Sequence, residues 1–192
     1  YKLNFIELNS IKSQDILNKN NFIVSTIPLY HGIYTNGFLF RKKTTSHKLI
    51  VKKAIDLGID KTQFSGIKLG KDGVTSKGEI IKNTKLVEPL KPDIIYAFCS
   101  DTLFNLKITE QISECDLLYH ESTFLKKDEN FAVKTFHSTA EQAAIIAKNS
   151  NVKKLILGHF SSRYNDLDLF LNEAKTVFEN CELAIENKSF IF

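Results

Sequence analysis

The 192 residues carry a formal net charge of +4 and are 43% hydrophobic, with three cysteines. That is enough chain for one domain with a sizeable core, and no apolar run approaches the roughly 18 residues that a membrane span requires. Cys99, Cys115 and Cys181 form an odd set without close-paired spacing. They read as buried thiols in a reducing compartment, which excludes a disulfide frame and a zinc ribbon.

The sequence opens at Tyr1 and contains no methionine. Its first apolar run, Asn4 to Leu8, reads as a strand already inside a sheet, so the chain is expected to be the later portion of a longer protein. Residues 2–9 and 21–28 are predicted strands with a polar connection between them, followed by a short strand at Phe38-Leu39-Phe40. Gly37 before that strand allows a bulge or a tight approach.

Beyond Thr44 the pattern changes. Ser46 is placed to cap a helix that runs to about Leu57 and stops at Gly58. Residues 59–92 then alternate short apolar pieces with Gly66, Gly70, Gly73, Gly78 and Pro89. Residues 41–92 hold 13 Lys/Arg against 5 Asp/Glu, a net +8 that leaves −4 for the remainder. Composition and charge shift together, so this segment is expected to be a basic arm with little core of its own. One basic segment on a mildly acidic body suits a polyanionic partner, although on charge alone a solvated lysine-rich surface is the favoured reading.

Ile94 to Cys99 is a nearly continuous apolar run, predicted to be a strand buried on both faces. A helix is expected from there to about Cys115. Leu117-Leu118-Tyr119 is a further strand and leads into His120-Glu121-Ser122-Thr123. A capping box of Ser138 with Glu141 starts a helix over Thr139–Asn149, directly after His137. Leu155–Leu157 is a strand leading into His159, Leu167–Phe178 an amphipathic helix, and Leu183–Ile185 and Phe190–Phe192 complete the sheet.

Four apolar strands therefore end in polar turns, near His31, at Asp101, at His120-Glu121 and at His159. Ligands from successive strand ends lie far apart in sequence yet can meet at one edge of a sheet, and a His/carboxylate set suits a hydrolytic zinc or manganese site. Taken singly, a His after a strand is usually an ordinary satisfied residue, and Asp101 can simply cap a helix. The repetition is what points to a site.

Five motifs then match, in order, those of ribonuclease Z. They are Leu29-Tyr30-His31-Gly32, Cys99-Ser100-Asp101-Thr102, Tyr119-His120-Glu121-Ser122-Thr123-Phe124, Phe136-His137-Ser138-Thr139-Ala140-Glu141 and Gly158-His159-Phe160-Ser161-Ser162-Arg163-Tyr164. The chain resembles that family of tRNA 3′-processing endonucleases over essentially its whole length. The resemblance implies a metallo-β-lactamase-type α/β fold, an αββα four-layer sandwich that is here truncated at its N-terminal side. It implies a single domain over 1–192 with a tRNA-binding arm inserted at about 41–92, and removal of the 3′ trailer from precursor tRNA.

By the same resemblance His31 binds one metal, His159 the other, and Asp101 bridges both. The implied ions are two Zn2+, with Mn2+ or Mg2+ as alternatives. His137 stands at the scissile phosphate as proton donor or transition-state stabiliser, with Glu121 orienting it; for His120 the resemblance fixes no role, and a supporting hydrogen bond is the simpler expectation. Ser161 and Arg163 contact the RNA backbone, and Lys68 and Lys71 of the arm contact phosphates. A cytoplasmic homodimer without membrane attachment is implied as well.

One departure matters. The family signature H-x-H-x-D-H is absent, since the five histidines are His31, His47, His120, His137 and His159. The 192 residues alone are therefore expected to lack nuclease activity. Two alternatives stay open. One is a non-catalytic RNA-binding or regulatory subunit, and the other is a phosphodiesterase of the same fold acting on small substrates.

Overall fold

The computed structural model describes residues 2–8 and 11–192. In chain order the elements are β1 (Asp15–Lys19), β2 (Phe22–Pro28), β3 (Asn36–Lys42), α1 (Val51–Asp56), α2 (Phe64–Lys68), β4 (Gly73–Val74) and β5 (Ile80–Ile81). There follow β6 (Ile94–Cys99), β7 (Leu117–Glu121), α3 (Glu129–Thr135), α4 (Ala140–Asn149), β8 (Leu155–Gly158), α5 (Asp168–Lys175) and β9 (Cys181–Leu183). The chain divides into two compact units, one of residues 1–41 and 95–192, the other Lys42–Ile94.

The first unit is built on a seven-stranded sheet in the order β1-β2-β3-β6-β7-β8-β9. β1 pairs antiparallel with β2, whereas β6 to β9 run parallel, with Cys99 opposite His120 and Glu121 opposite Gly158. Parallel strands bring their C-terminal ends to one edge of the sheet, which is where ligands collect in open α/β sheets. Side chains alternate across a strand, so Ala97, Cys99, Leu118, Leu155 and Leu157 point into one core. Ala143, Ala144, Ile146 and Ala147 of α4 and Phe170 and Ala174 of α5 belong to that core. The small residues of α4 let the helix approach its neighbours closely. The other face of the sheet carries aromatic side chains, with Phe40 stacked on Tyr96 at 5.6 Å and Phe98 on Tyr119 at 4.7 Å. β6 is thus buried through Ala97 and Cys99, while Tyr96 and Phe98 are half-buried and Ile94 is 45% exposed. The expected burial on both faces is corrected to one.

Gly37 is where the sequence reading placed a tight approach. A Cβ there would fall 2.4 Å from the Phe98 carbonyl oxygen, so only glycine fits. The three cysteines are free and buried, as their spacing suggested.

Several elements differ from expectation. Residues 2–8 form no strand and are mostly exposed, Phe5 at 89%. Residue 9 lies outside the described residues. An apolar run becomes a strand only where another strand satisfies its backbone, and none pairs with this one among the described residues. The polar stretch after it instead contains β1, a fully exposed edge strand fastened to β2 through main-chain pairing. No α-helix covers 103–115. The backbone there closes short i→i+3 turns around Leu106–Ile108, and the Leu103 N–H is taken by the Tyr30 carbonyl. The helix expected from Ser46 starts only at Val51, because Leu49 is bridged to Val87 as extended chain. β9 lies at Cys181–Leu183, two residues before its expected place, and 190–192 carry no strand. The helix α3 carried no strong sequence signal and was missed.

The capping box is displaced by one residue. Thr139 accepts from the Gln142 N–H at 3.2 Å, while the Gln142 side chain accepts from the Thr139 N–H at 3.0 Å. Ser138 cannot serve, because its hydroxyl donates to the Thr102 carbonyl at 2.7 Å.

The second unit has a core of its own, contrary to expectation. Leu49, Ala54, Ile59, Ile67, Leu86 and Val87 are buried together, with Phe64 and Ile81 against them. Its loops are tied by side chains acting as backbone surrogates. Gln63 both donates to and accepts from the Val74 main chain, and the Asn83 amide donates to the Ile67 and Lys71 carbonyls. Among the described residues, no helix of either unit is long and apolar enough to cross a membrane.

Candidate active site

At the C-terminal ends of β6, β7 and β8 the chain turns sharply. Asp101 and His159 adopt left-handed backbone conformations at φ 56° and 59°. For residues with a Cβ this costs about 1 kcal/mol or more, and such strain gathers at functional sites. Phe136, also left-handed at φ 59°, ends α3, and the His137 N–H closes back on the Ala132 carbonyl at 2.8 Å. α4 starts at Ala140, so His137 stands in a tight corner between two helices. Gly158 admits no side chain, since a Cβ would fall 2.2 Å from the Tyr119 hydroxyl. The Tyr119 ring thus lies directly over the backbone just before His159.

Asp101, Glu121, His137 and His159 each present a donor atom within 4.8 Å of the others. His31 stands beside this set, its ring 5.1 Å from that of His137, which in turn lies 5.2 Å from His159.

Glu121 is fully buried and fully subscribed. Oε1 accepts from His137 Nδ1 at 2.8 Å and the Thr102 N–H at 2.6 Å. Oε2 accepts from the Thr123 hydroxyl at 2.6 Å and the Ser138 N–H at 3.0 Å. Burial alone would raise its pKa, but the donors His137, Thr123 and Ser138 outweigh burial and hold it below the usual carboxylate range. Both Glu121 oxygens are thus engaged by donors of the protein itself. The same hydrogen bond raises the His137 pKa, against the effect of its partial burial.

The hydrogen bonds also settle which ring nitrogens are free. His31 Nδ1 meets the Phe136 carbonyl at 3.0 Å, and a carbonyl only accepts, so Nδ1 carries the proton and Nε2 is left available. His137 Nδ1 faces a carboxylate, with the same consequence. His159 Nδ1 meets the Thr123 hydroxyl at 2.8 Å. Metal-ligating histidines characteristically have one nitrogen tied down in this way.

Asp101 supplies the test of whether a cation fits. Its Oδ1 lies 3.0 Å from His159 Nε2, yet the alignment gives it no hydrogen bond, and this buried atom has no other hydrogen-bond partner. An oxygen and a ring nitrogen converging without a well-aligned proton between them suit a divalent ion, whose bonds of about 2.0–2.2 Å can reach both. Asp101 and His159 side chains are 45% and 42% exposed, so the edge is open to solvent.

His120 is fully buried, with Nδ1 on the Glu121 carbonyl at 2.7 Å and Nε2 without a partner. Burial lowers its pKa. The Ser161 N–H donates to the Thr123 carbonyl, and the exposed Arg163 guanidinium stacks over Phe124 and Phe131, 4.9 Å from each ring centre. Lys68 and Lys71 are exposed residues of the second unit. The sequence reading missed Thr102 and Thr123. Both sit inside quoted motifs, but nothing in a lone threonine signals a bridging hydroxyl.

No family model matches the chain. A protein named ribonuclease Z from Bacteroides fragilis is 42% identical over 187 residues, which is 97% of this chain and 62% of that protein. The one from Cytophaga hutchinsonii is 40% identical over 191 residues, 99% of this chain and 61% of that protein. Among solved structures, a metallo-β-lactamase fold protein from Bacillus subtilis aligns with a TM-score of 0.57 at 16% identity, over 89% of this chain and 49% of that one. A long-form RNase Z from yeast aligns with a TM-score of 0.54 at 19% identity, over 86% of this chain and 17% of that one. The fold is thus that of the metallo-β-lactamases. In sequence the chain is homologous to ribonuclease Z over nearly its whole extent, and it spans about three fifths of those relatives' length.

Proposed function

We propose that this ribonuclease Z homologue is the part of a divalent-metal-dependent endoribonuclease that bears the proton donor, and that the enzyme removes the 3′ trailer from precursor tRNA. The observation that carries the reading is the convergence of Asp101 Oδ1 and His159 Nε2, beside a His137 held by an ionised, saturated Glu121.

Asp101, His159 and His31 would hold the metal, Zn2+ suiting this imidazole and carboxylate set, with Mn2+ or Mg2+ as alternatives. Bound divalent ions would supply an activated hydroxide and charge neutralisation at the phosphorus. His137 donates a proton from Nε2 to the departing 3′-oxygen, which leaves a 3′-hydroxyl on the tRNA and the phosphate on the trailer. Glu121 holds the imidazole in place and stabilises its protonated form. Ser161 and Arg163 lie on the loop after His159 and would meet the RNA backbone. In the Lys42–Ile94 unit, 12 Lys against 6 Asp/Glu give a net +6, and we assign it as the arm whose lysines, Lys68 and Lys71 among them, hold tRNA phosphates without reading sequence.

The ligands that H-x-H-x-D-H would supply do not occur in these 192 residues. The proposal places them on chain outside this sequence, in a cytoplasmic homodimer. The test is cleavage of a precursor tRNA by the full-length protein with Zn2+, Mn2+ or Mg2+, beside the 192-residue chain alone. The reading predicts chelator-sensitive cleavage by the former and none by the latter. Lack of cleavage by the full-length protein with every metal would overturn it.

A further inference from the structure

Every described histidine uses Nδ1 for a hydrogen bond, and for four of them the partner is a carbonyl or carboxylate. Those partners only accept, so they dictate the tautomer by themselves. His159 is the exception. Its Nδ1 faces the hydroxyl of Thr123, which can accept or donate, and a hydroxyl alone decides nothing.

The decision is made one atom further on. Thr123 Oγ1 lies 2.6 Å from Glu121 Oε2, which already accepts from a backbone N–H and has no proton to offer. The hydroxyl proton must point to Glu121. Its lone pair then faces His159, and Nδ1 must be the donor. We propose that Thr123 is a positioning residue whose hydroxyl relays the Glu121 carboxylate to His159, fixing the Nδ1–H tautomer and leaving the Nε2 lone pair aimed at Asp101 and the metal.

The frame around Thr123 is rigid enough for this. The residue is 7% exposed. Its carbonyl accepts from the Ser161 N–H at 3.1 Å, and the next residue pairs with the His137 corner, the Phe124 N–H on the Ser138 carbonyl and the Ala140 N–H on the Phe124 carbonyl. Its β-branched side chain restricts χ1, which keeps the hydroxyl between its two partners. One buried carboxylate thereby sets both the proton donor His137 and the candidate ligand His159.

The inference rests on the metal-site reading, and its first test needs no metal. Long-range 1H–15N spectra of the metal-free protein at pH 8, above the ordinary imidazole range, report each ring's tautomer. His159 is expected to be at least ninefold in favour of Nδ1–H. An Nε2–H tautomer, with Nδ1 unprotonated, would overturn the proposal, whether or not any variant folds. Thr123→Val keeps the shape and removes the hydroxyl. It is expected to mix the His159 tautomers and weaken Zn2+ binding in the full-length protein by about 10- to 100-fold. Thr123→Ser should restore affinity to within about threefold. Unchanged affinity in T123V, or failure of Ser to restore it, would overturn the relay. If Zn2+ fails to bind the full-length wild type while the tautomers behave as stated, it is the metal-site reading that fails.

Discussion

His47, in the Lys42–Ile94 unit, and His159, at the end of β8, make an instructive pair. Each has Nδ1 tied by a hydrogen bond, His47 to the Glu88 carbonyl at 3.2 Å and His159 to Thr123 at 2.8 Å. His47 is not a member of the donor cluster found among the described residues, and its own unit holds exposed ion pairs such as Lys48–Glu88 and Lys82–Asp72. His159 has a buried carboxylate behind it and an unsatisfied aspartate in front. A tethered imidazole is therefore ordinary. What marks a site is the convergence of free acceptors that no donor satisfies.

The contrast can be broken by substitution, and the largest effect belongs at the front. Asp101→Asn in the full-length protein should abolish metal-dependent cleavage, by at least about 10³-fold, since a neutral amide is a poor ligand for a divalent ion. His47→Asn should leave the rate within about twofold. Steady-state kinetics on a precursor tRNA reads both, and a His47 effect as large as that of Asp101 would erase the distinction.

Next in size is the group behind the site. Glu121→Gln leaves buried donors facing an amide and His137 without its counter-charge. A loss of about 3–5 kcal/mol in unfolding free energy is expected, together with a roughly 10²- to 10⁴-fold fall in turnover. Denaturant titration and single-turnover kinetics separate the two.

A smaller effect appears with pH in the metal-free protein. The His137 pKa is raised by Glu121, so folding is favoured below the unfolded value of about 6.5, and that contribution fades as pH rises through the folded value. The His120 pKa is lowered by burial. The unfolded chain takes up that proton first, and stability from this residue falls as pH drops below about 6.5. Ring-proton shifts followed by NMR should place the His137 midpoint above that of His120, and the reverse order would contradict both causes.

The smallest effect belongs to the second unit. Lys48→Ala should cost less than about 1 kcal/mol, because an exposed ion pair gains little in water. A larger drop in thermal unfolding would mean that this unit depends on its surface charges more than on Leu49, Ile67 and Leu86.

The strands that carry the site were legible because each is a β-type apolar run stopping at a polar residue, as at Cys99-Ser100-Asp101 and Leu157-Gly158-His159. Their meeting at one edge follows from parallel pairing, which the pattern made natural and only coordinates display. β1 escaped because its five residues, all exposed, bury nothing and so have no apolar period. Residues 2–9 misled for the opposite reason, having an apolar pattern with no partner strand for 2–8 among the described residues. The capping box was misplaced by one residue because Ser138 and Thr139 are equally good caps until Thr102 claims the first. Thr123 was invisible as a relay, since its role comes from two groups that tertiary folding brings to one hydroxyl.

The most direct test of the account is anomalous diffraction at the zinc edge from crystals of the full-length protein grown with Zn2+. The account predicts a peak between Asp101 Oδ1 and His159 Nε2, with Glu121 outside the coordination sphere and still bonded to His137 and Thr123. A peak bound by Glu121, or one reached through His159 Nδ1, would contradict it.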